Sequence, residues 1–476
     1  VVDEGWREDF KKIFGKKPEY VYASRTEDSS EGGDFSQLIK KVGDEEIKLV
    51  FFVSMQYLRL SDLVGGKDTD QLKRDIMQYD WELVMVDEAH EGTESTMGAR
   101  VLERLKKDNT RILSLSGTPF NLLDKYEDGE IYTWDYVMEQ KAKQEWDDKH
   151  FLDPNPYAEL PKMQILTFTL SDMLHEKLGD GNMFKFHEFF RVWTGELKED
   201  SKYFPDGNKP ADYKEGNFIH EKAVKDFLNR LAETSDTSLY PFSRPEFRDQ
   251  FRHSFWILPY VREAAAMEKL LTAHPVFKNF KIVNVAGDGN VEDTKGTALK
   301  AVQDAIKKNK YTITLSCGKL NTGVSVPEWH AVLCMKGSEN TPAANYMQTI
   351  FRVQTHAQLA GRQKSDAYVF DFAPDRALTA VAETAKMAVI AAGGKGSKQL
   401  KQSQKQEEEH LQSFLQLCPV ISMDGAQMGR HFSAGELFEK LSNVYIERAV
   451  RSGYADNSLY NPEALLNLSP EQEKAL

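Results

Sequence analysis

Leu83-Val84-Met85-Val86-Asp87-Glu88-Ala89-His90 decides how this chain is read. Four apolar residues without a polar interruption read as a strand buried on both faces, as in a parallel sheet covered by helices. They run straight into two carboxylates. In an open parallel sheet, ligands bind beyond the carboxyl ends of the strands, so Asp87 and Glu88 stand where a ligand would sit. A carboxylate there can hold Mg²⁺ against the phosphates of ATP, usually through water. Its neighbour can orient and deprotonate an attacking water. Phosphoryl transfer asks mainly for positioning and charge neutralisation, and a rigid strand end supplies both. Asp87 is therefore the candidate Mg²⁺ ligand, Glu88 the candidate base, and His90 completes the candidate catalytic motif. The plainer alternative, two solvated acids on a surface turn, fits poorly after a buried strand.

Working outward, Leu49 to Val53 and Arg111 to Ser116 read as further strands, with a helix from Met97 to Lys107 carrying Val101, Leu102 and Leu105 at helical spacing. After the third strand comes Leu115-Ser116-Gly117-Thr118-Pro119-Phe120. Ser116, Gly117 and Thr118 make a small, hydroxyl-rich turn that can hydrogen-bond the acidic pair and relay its state, although such residues also make ordinary turns. Ser54 and Gln56, at the end of the strand closing at Val53, could touch a nucleic-acid backbone or be plain loop residues. Residues 1–120 are thus expected to form one α/β domain.

A second α/β series occupies residues 253–385. Strands are expected at Phe255 to Leu258, Lys281 to Val285, Tyr311 to Leu315, Ala331 to Met335 and Ala367 to Asp371, with helices at Arg262 to Thr272 and Leu299 to Lys308. The segment from Ser316 to Pro327 follows a strand. Its two glycines and small polar residues allow backbone to approach phosphate closely; Ser316, Lys319 and Thr322 are its candidate nucleic-acid contacts and Gly323 a candidate ATP-binding or coupling residue. In Tyr346 to Thr355, Gln348 and Arg352 are i and i+4 and would share one helical face, from which Arg352 could act as an arginine finger. The alternative is a partly buried helix with a capping arginine.

Between these domains, residues 121–252 carry Trp134, Trp146, Trp193, a Pro-rich stretch and a polar run from Ser201 to Gly216, and read as an inserted, mainly helical region. Residues 386–476 begin with the linker Gly393-Gly394-Lys395-Gly396-Ser397 and continue as a charged helix and a helical tail. A chain of 476 residues, 41% hydrophobic, suits about three domains of roughly 150 residues each. It has no apolar run long enough to span a membrane and no signal-peptide pattern at its start. Three widely spaced cysteines make neither a disulfide framework nor a zinc pattern, so a cytoplasmic location is expected. The net charge of −13 argues against a broad basic surface coating DNA. It leaves open a narrow cleft that holds the backbone through main-chain N–H groups and a few cations.

Taken in order, Asp87-Glu88-Ala89-His90, Ser116-Gly117-Thr118, Thr322-Gly323-Val324-Ser325-Val326-Pro327 and Gln348…Arg352 resemble motifs II, III, V and VI of superfamily 2 DEAD/DEAH-type helicases. Trp256 to Tyr260 resembles motif IV, and Val1 to Phe10 the end of motif Ia. The wording of Thr133 to Gln140, Asn155-Pro156-Tyr157-Ala158, Val283 to Gly289 and Gln348 to Gln354 resembles the motor part of ATP-dependent type I and type III-like restriction endonuclease subunits. The resemblance implies two RecA-like parallel-sheet domains of the P-loop NTPase class, with ATP and Mg²⁺ as cofactors and duplex DNA as partner. Methyltransferase or specificity subunits are further partners it implies. It also implies ATP held between Asp87 and the Gln348–Arg352 face. The sequence departs from the family twice. It contains no Gly-x-x-x-x-Gly-Lys-Ser/Thr phosphate loop, which the family's motif order places before Val1, so the first domain is read as incomplete and this chain alone as inactive. In motif VI, Phe351, Gln354 and Thr355 stand where the family has Gly, Gly and Arg. Two rival functions stay open: a helicase unrelated to restriction, and a nucleic-acid-binding scaffold without turnover. Asp34…Glu46-Ile47-Lys48 has the spacing of a metal-dependent nuclease site but leads into the strand at Leu49, and is read as part of the motor domain.

Overall fold

The computed structural model describes residues 2–25, 35–44, 46–89, 96–117, 126–150, 152–168, 186–195, 214–234, 238–287, 291–320, 324–336, 343–359, 361–391, 400–424, 427–431, 433 and 435. The chain divides into two units, Val1–Glu130 and Ile131–Leu476.

In the first unit, β1 (Tyr20–Ser24) pairs in parallel with β2 (Lys48–Phe52), and β3 (Leu83–Val86) with β4 (Arg111–Ser114). Parallel neighbours need a crossover rather than a hairpin, and the helices Phe35–Asp44 and Thr96–Leu105 lie in those connections. Phe35, Leu58, Val64, Ile76, Met77, Val101 and Leu105 form the core beneath them. Val101 and Leu105 are one helical turn apart, as their spacing implied. The β3–β4 pair differs from expectation. Leu83, Met85 and Leu113 are 48%, 43% and 44% exposed, whereas Val86 is buried. Leu83 pairs with Arg111 and Met85 with Leu113, so the exposed apolar residues share one face of the pleat. Nothing among the described residues covers that face. The apolar run therefore marks a strand correctly but not one buried on both sides.

The second unit is built on an eight-stranded sheet, ordered β14-β13-β5-β12-β9-β6-β8-β7 among the described residues. Its members are β5 (Lys162–Phe168), β6 (His253–Ile257), β7 (Lys281–Asn284), β8 (Thr312–Ser316), β9 (Ala331–Cys334), β12 (Asp366–Asp371), β13 (Val420–Asp424) and β14 (Gln427–His431). A two-residue hairpin, β10 (Gln358–Leu359) with β11 (Arg362–Gln363), stands apart. Seven of the eight strands run parallel and β14 is antiparallel to β13. Every residue of β6, β8 and β9 is buried; β9 is an apolar run and β6 ends in one, whereas β8 alternates Thr312, Thr314 and Ser316 with Ile313 and Leu315. Trp256, Leu315, Leu333 and Phe370 belong to one core with Phe242, Phe277 and Phe280. Phe255 stacks on Trp329 at a centroid distance of 4.2 Å.

Two expectations about organisation differ from what is seen. Residues 121–252, expected as an inserted helical region, supply β5, which pairs with β12, and the helix Glu221–Ala232, whose Val224, Phe227, Leu228 and Leu231 join the same core. Residues 386–476, expected as helical, contain the helix Leu400–Leu417 but also β13 and β14, and β13 extends the sheet alongside β5. The Tyr136 hydroxyl fastens these parts together. It accepts from the Met163 amide at 3.0 Å and donates to the Leu417 carbonyl at 3.0 Å. No helix among the described residues is long and apolar enough to cross a membrane.

Candidate functional site

In the first unit the acidic pair is a clamped turn. The Leu115 amide donates to the Val86 carbonyl at 2.8 Å, and the Leu115 carbonyl accepts from the Ala89 amide at 3.0 Å. The backbone between these bonds must bulge outward, and Asp87 and Glu88 occupy the bulge. Glu88 takes the left-handed conformation, φ 47°, which costs a non-glycine residue roughly 1–2 kcal/mol. Such strain is found where surrounding structure over-determines a site. The exposed Asp87 carboxylate accepts the Glu88 amide at 3.0 Å and the Trp6 indole N–H at 3.3 Å. Trp6 was not singled out from sequence; its place in the motif Ia-like helix Val2–Phe14 was the only signal. An exposed carboxylate at an open strand end suits one water-mediated contact to a Mg²⁺ ion carried by a nucleotide. The described residues hold no cluster of three His, Cys, Asp or Glu that could bind a metal by themselves.

Ser116 is half-buried and Gly117 exposed beside this turn, with Tyr126 donating at 2.6 Å to the Oγ of Ser114, the last residue of β4. His90 and Thr118 lie outside the described residues. Ser54 has local work to do: its Oγ accepts the Tyr57 amide at 3.2 Å and caps the helix Met55–Arg59. Gln56 on that helix is exposed. Of the nuclease-like triplet, Lys48 opens β2 and Glu46 sits in a positive-φ turn, while Asp34 lies outside the described residues.

In the second unit, β6 is continued on one side, through the helix Val261–Ala273, to β7. β9 is continued on the other, through the helix Ala343–Ile350, to β12. Connections diverging from neighbouring strands open a crevice beyond their carboxyl ends. The loops there are bridged by cations. Lys319, after β8, donates to the Gly287 carbonyl after β7 at 2.6 Å. Lys336, after β9, donates to the Cys317 carbonyl after β8. Arg376, after β12, donates to the carbonyls of Lys336 and, at 3.2 Å, Cys334. Arg376 is also paired with the fully buried Asp371 at 2.5 Å. Neither Lys319 nor Lys336 has a carboxylate partner among the described residues. Lys336 and Tyr260, the latter 53% exposed, flank the crevice between β6 and β9. Neither was singled out from the sequence as a contact.

Ser316, expected as a nucleic-acid contact, is buried; its Oγ donates to the Lys319 carbonyl at 2.5 Å and accepts the Gly318 amide at 3.2 Å. It shapes the loop that presents Lys319. Thr322 and Gly323 lie outside the described residues. Gln348 and Arg352 do not share a regular helical face. The helix ends at Ile350 and Arg352 falls in the 3₁₀ turn Phe351–Val353. Gln348 is 7% exposed, and Arg352 donates to the Val324 carbonyl at 2.7 Å, tying the motif VI-like turn to the motif V-like segment.

No family model matches the chain. It is 26% identical over 437 residues to "Putative type II restriction enzyme and methyltransferase RM.MpnORF110P C-terminus" of Mycoplasma pneumoniae, covering 81% of this chain and 58% of that protein. The chain thus spans well under two thirds of this curated relative, whose name agrees with the restriction-enzyme resemblance of the sequence. Among solved structures, it is similar to the DEAD-box helicase Mss116 bound to ssRNA and UDP-BeF, with a TM-score of 0.38 at 11% identity, over 98% of this chain and 80% of that one. It is also similar to the ATP-dependent Type ISP restriction-modification enzyme LlaBIII bound to DNA, with a TM-score of 0.41 at 13% identity, over 96% of this chain and 30% of that one. Agreement this loose does not establish a fold, which stands on the strand order and register above.

Proposed function

We propose that this chain is part of a nucleic-acid-dependent ATPase motor, a DNA translocase or helicase that serves a restriction-modification system. The observation that carries the reading is the Asp87–Glu88 turn, held outward at the carboxyl end of parallel strand β3 with Glu88 in a strained conformation. Asp87 would hold Mg²⁺ of bound ATP, and Glu88 would take a proton from the attacking water. The cation-bridged loops after β7, β8 and β9 would meet the phosphate backbone, with Lys319 and Lys336 as point charges. Duplex DNA is the proposed partner, on the strength of the similarity to a restriction enzyme and methyltransferase; methyltransferase or specificity subunits are proposed beside it.

A second reading, a nucleic-acid-binding module without turnover, draws on the cation-bridged loops alone, since Lys319 and Lys336 could grip a backbone without chemistry at Asp87 and Glu88. One experiment separates the two. DNA binding is measured on this chain, and DNA-stimulated ATP hydrolysis on a protein that also supplies a phosphate loop, with and without Glu88→Gln. The motor reading expects binding in the first case. In the second it expects turnover that Glu88→Gln lowers by roughly 10²–10⁴-fold while ATP still binds. Turnover indifferent to Glu88→Gln removes the acidic pair from the chemistry.

A further inference from the structure

Lys364 is 1% exposed, yet it makes no ion pair among the described residues. Its Nζ donates to three carbonyls: Pro327 at 3.0 Å, Trp329 at 2.7 Å and Thr355 at 2.8 Å. An ammonium has three N–H donors, so the protonated form is matched donor for acceptor. Burying a lysine is costly, and here burial pushes its pKa down to about 7, with Glu328 opposing. A leucine or methionine would fill the same space without that cost. The three carbonyls come from two places: Pro327 and Trp329, at and just beyond the end of the segment running from Ser316 to Pro327, and Thr355 in the turn after Arg352. The Arg352–Val324 bond joins the same two segments at a second point. The β10–β11 hairpin delivers Lys364 to this junction, where its own amide donates to the Ala357 carbonyl at 2.9 Å.

We propose that Lys364 is a positioning residue for nucleic-acid engagement: its buried ammonium locks the Val324–Trp329 segment, which follows the loop carrying Lys319, to the turn after Arg352. The proposal rests on the preceding reading that this loop meets nucleic acid. Lys364 touches no ligand itself. It acts by fixing the carbonyls of Pro327, Trp329 and Thr355, and with them the junction that the Arg352–Val324 bond closes.

The test is binding of a short DNA duplex to the full chain over a series of salt concentrations. It compares wild type, Lys364→Met, Lys364→Gln and, as direct-contact references, Lys319→Ala and Lys336→Ala. Amide exchange is followed in parallel. A direct phosphate contact, when lost, makes the slope of log affinity against log salt shallower by about 0.9. Lys364→Met is expected to weaken binding roughly 10-fold with the slope unchanged, and to speed exchange at 324–329 and 354–357 but not in β6 and β8. Binding like wild type would mean that the lysine is merely structural. A slope lowered as in the references would mean that it contacts phosphate. Either result overturns the proposal. Wild type that does not bind duplex DNA overturns the preceding reading and this proposal with it, a result separable from failure at Lys364 alone. Should neither substitution fold, ¹⁵N-lysine NMR of the wild type decides. The Lys364 ammonium protons are expected to exchange slowly and to shift when the duplex is added; fast exchange or no shift refutes the lock.

Discussion

Mild acid should destabilise the second unit, and two histidines set the size of the effect. His253 opens β6 at 5% exposure, its Nδ1 2.9 Å from Thr312 Oγ1, and its carbonyl accepts the His330 amide at 3.0 Å. Burial, helped by Arg252, pushes His253 down to about 4. Burial, then Lys364, Arg252 and His253 itself, push His330 down to about 3. In the unfolded chain both titrate near pH ~6.5. Between about pH 3 and 6.5 the unfolded state therefore binds more protons than the folded one, and stability falls as pH falls. Going from pH 7.5 to pH 5, each ring contributes about 2 kcal/mol of lost stability, about 4 kcal/mol together. Urea unfolding followed by tryptophan fluorescence reads this out, since Trp256 and Trp329 lie buried in this unit. His253→Gln and His330→Gln should each remove about half of the pH dependence. Stabilities at the two pH values agreeing within about 1 kcal/mol, or variants that keep the full dependence, would refute the argument.

Three further outcomes are expected. Glu88→Gly should relieve the left-handed strain and raise the stability of the first unit by roughly 0.5–1 kcal/mol in thermal or urea unfolding, while removing the proposed base. Arg376→Met leaves the Asp371 carboxylate buried without its ion pair and should cost about 3–5 kcal/mol, whereas adding Asp371→Leu should recover much of the loss in a double-mutant cycle. Trp329→Ala removes the ring stacked on Phe255 and should cost about 3–5 kcal/mol by urea titration.

How much of this was legible in the sequence depends on how far apart the partners lie. Strands β3, β6 and β9 were readable because an apolar run announces itself locally, β8 because β-branched Thr and Ile alternate up to Leu315, and the acidic pair because it directly follows an apolar run. β5 was not. Its sequence, Lys162-Met163-Gln164-Ile165-Leu166-Thr167-Phe168, mixes polar and apolar residues, and the neighbours that make it a strand, Asp366–Asp371 and Val420–Asp424, lie some 200 and 250 residues further along. β1 was missed because Tyr20-Val21-Tyr22-Ala23-Ser24 has only its last two residues buried. The exposed face of β3 could not be read either, because a run of four apolar residues says nothing about whether a layer lies over it. At the site, residue types were legible but their tasks were not. Ser54 and Ser316 were picked for their chemistry toward phosphate, and the structure adds local roles that the sequence did not announce: Ser54 Oγ accepts in a helix cap and Ser316 Oγ holds a loop. Lys336 and Lys364 had no motif around them, because the acceptors that give them meaning are backbone carbonyls, which leave no trace in side-chain patterns.

The cation bridges after β8 and β9 have a consequence for how a polyanion would arrive. Among the described residues Lys319 and Lys336 are held by backbone carbonyls rather than by ion pairs, while the chain as a whole carries −13. A net negative chain would repel a polyanion from most directions, and the few that bring phosphate to these two cations would be selected before contact is made. Adding salt would weaken the final grip and also blur this orientation. Encounters would then become more frequent from the wrong side, and association would slow by more than the loss of two ion contacts alone would explain.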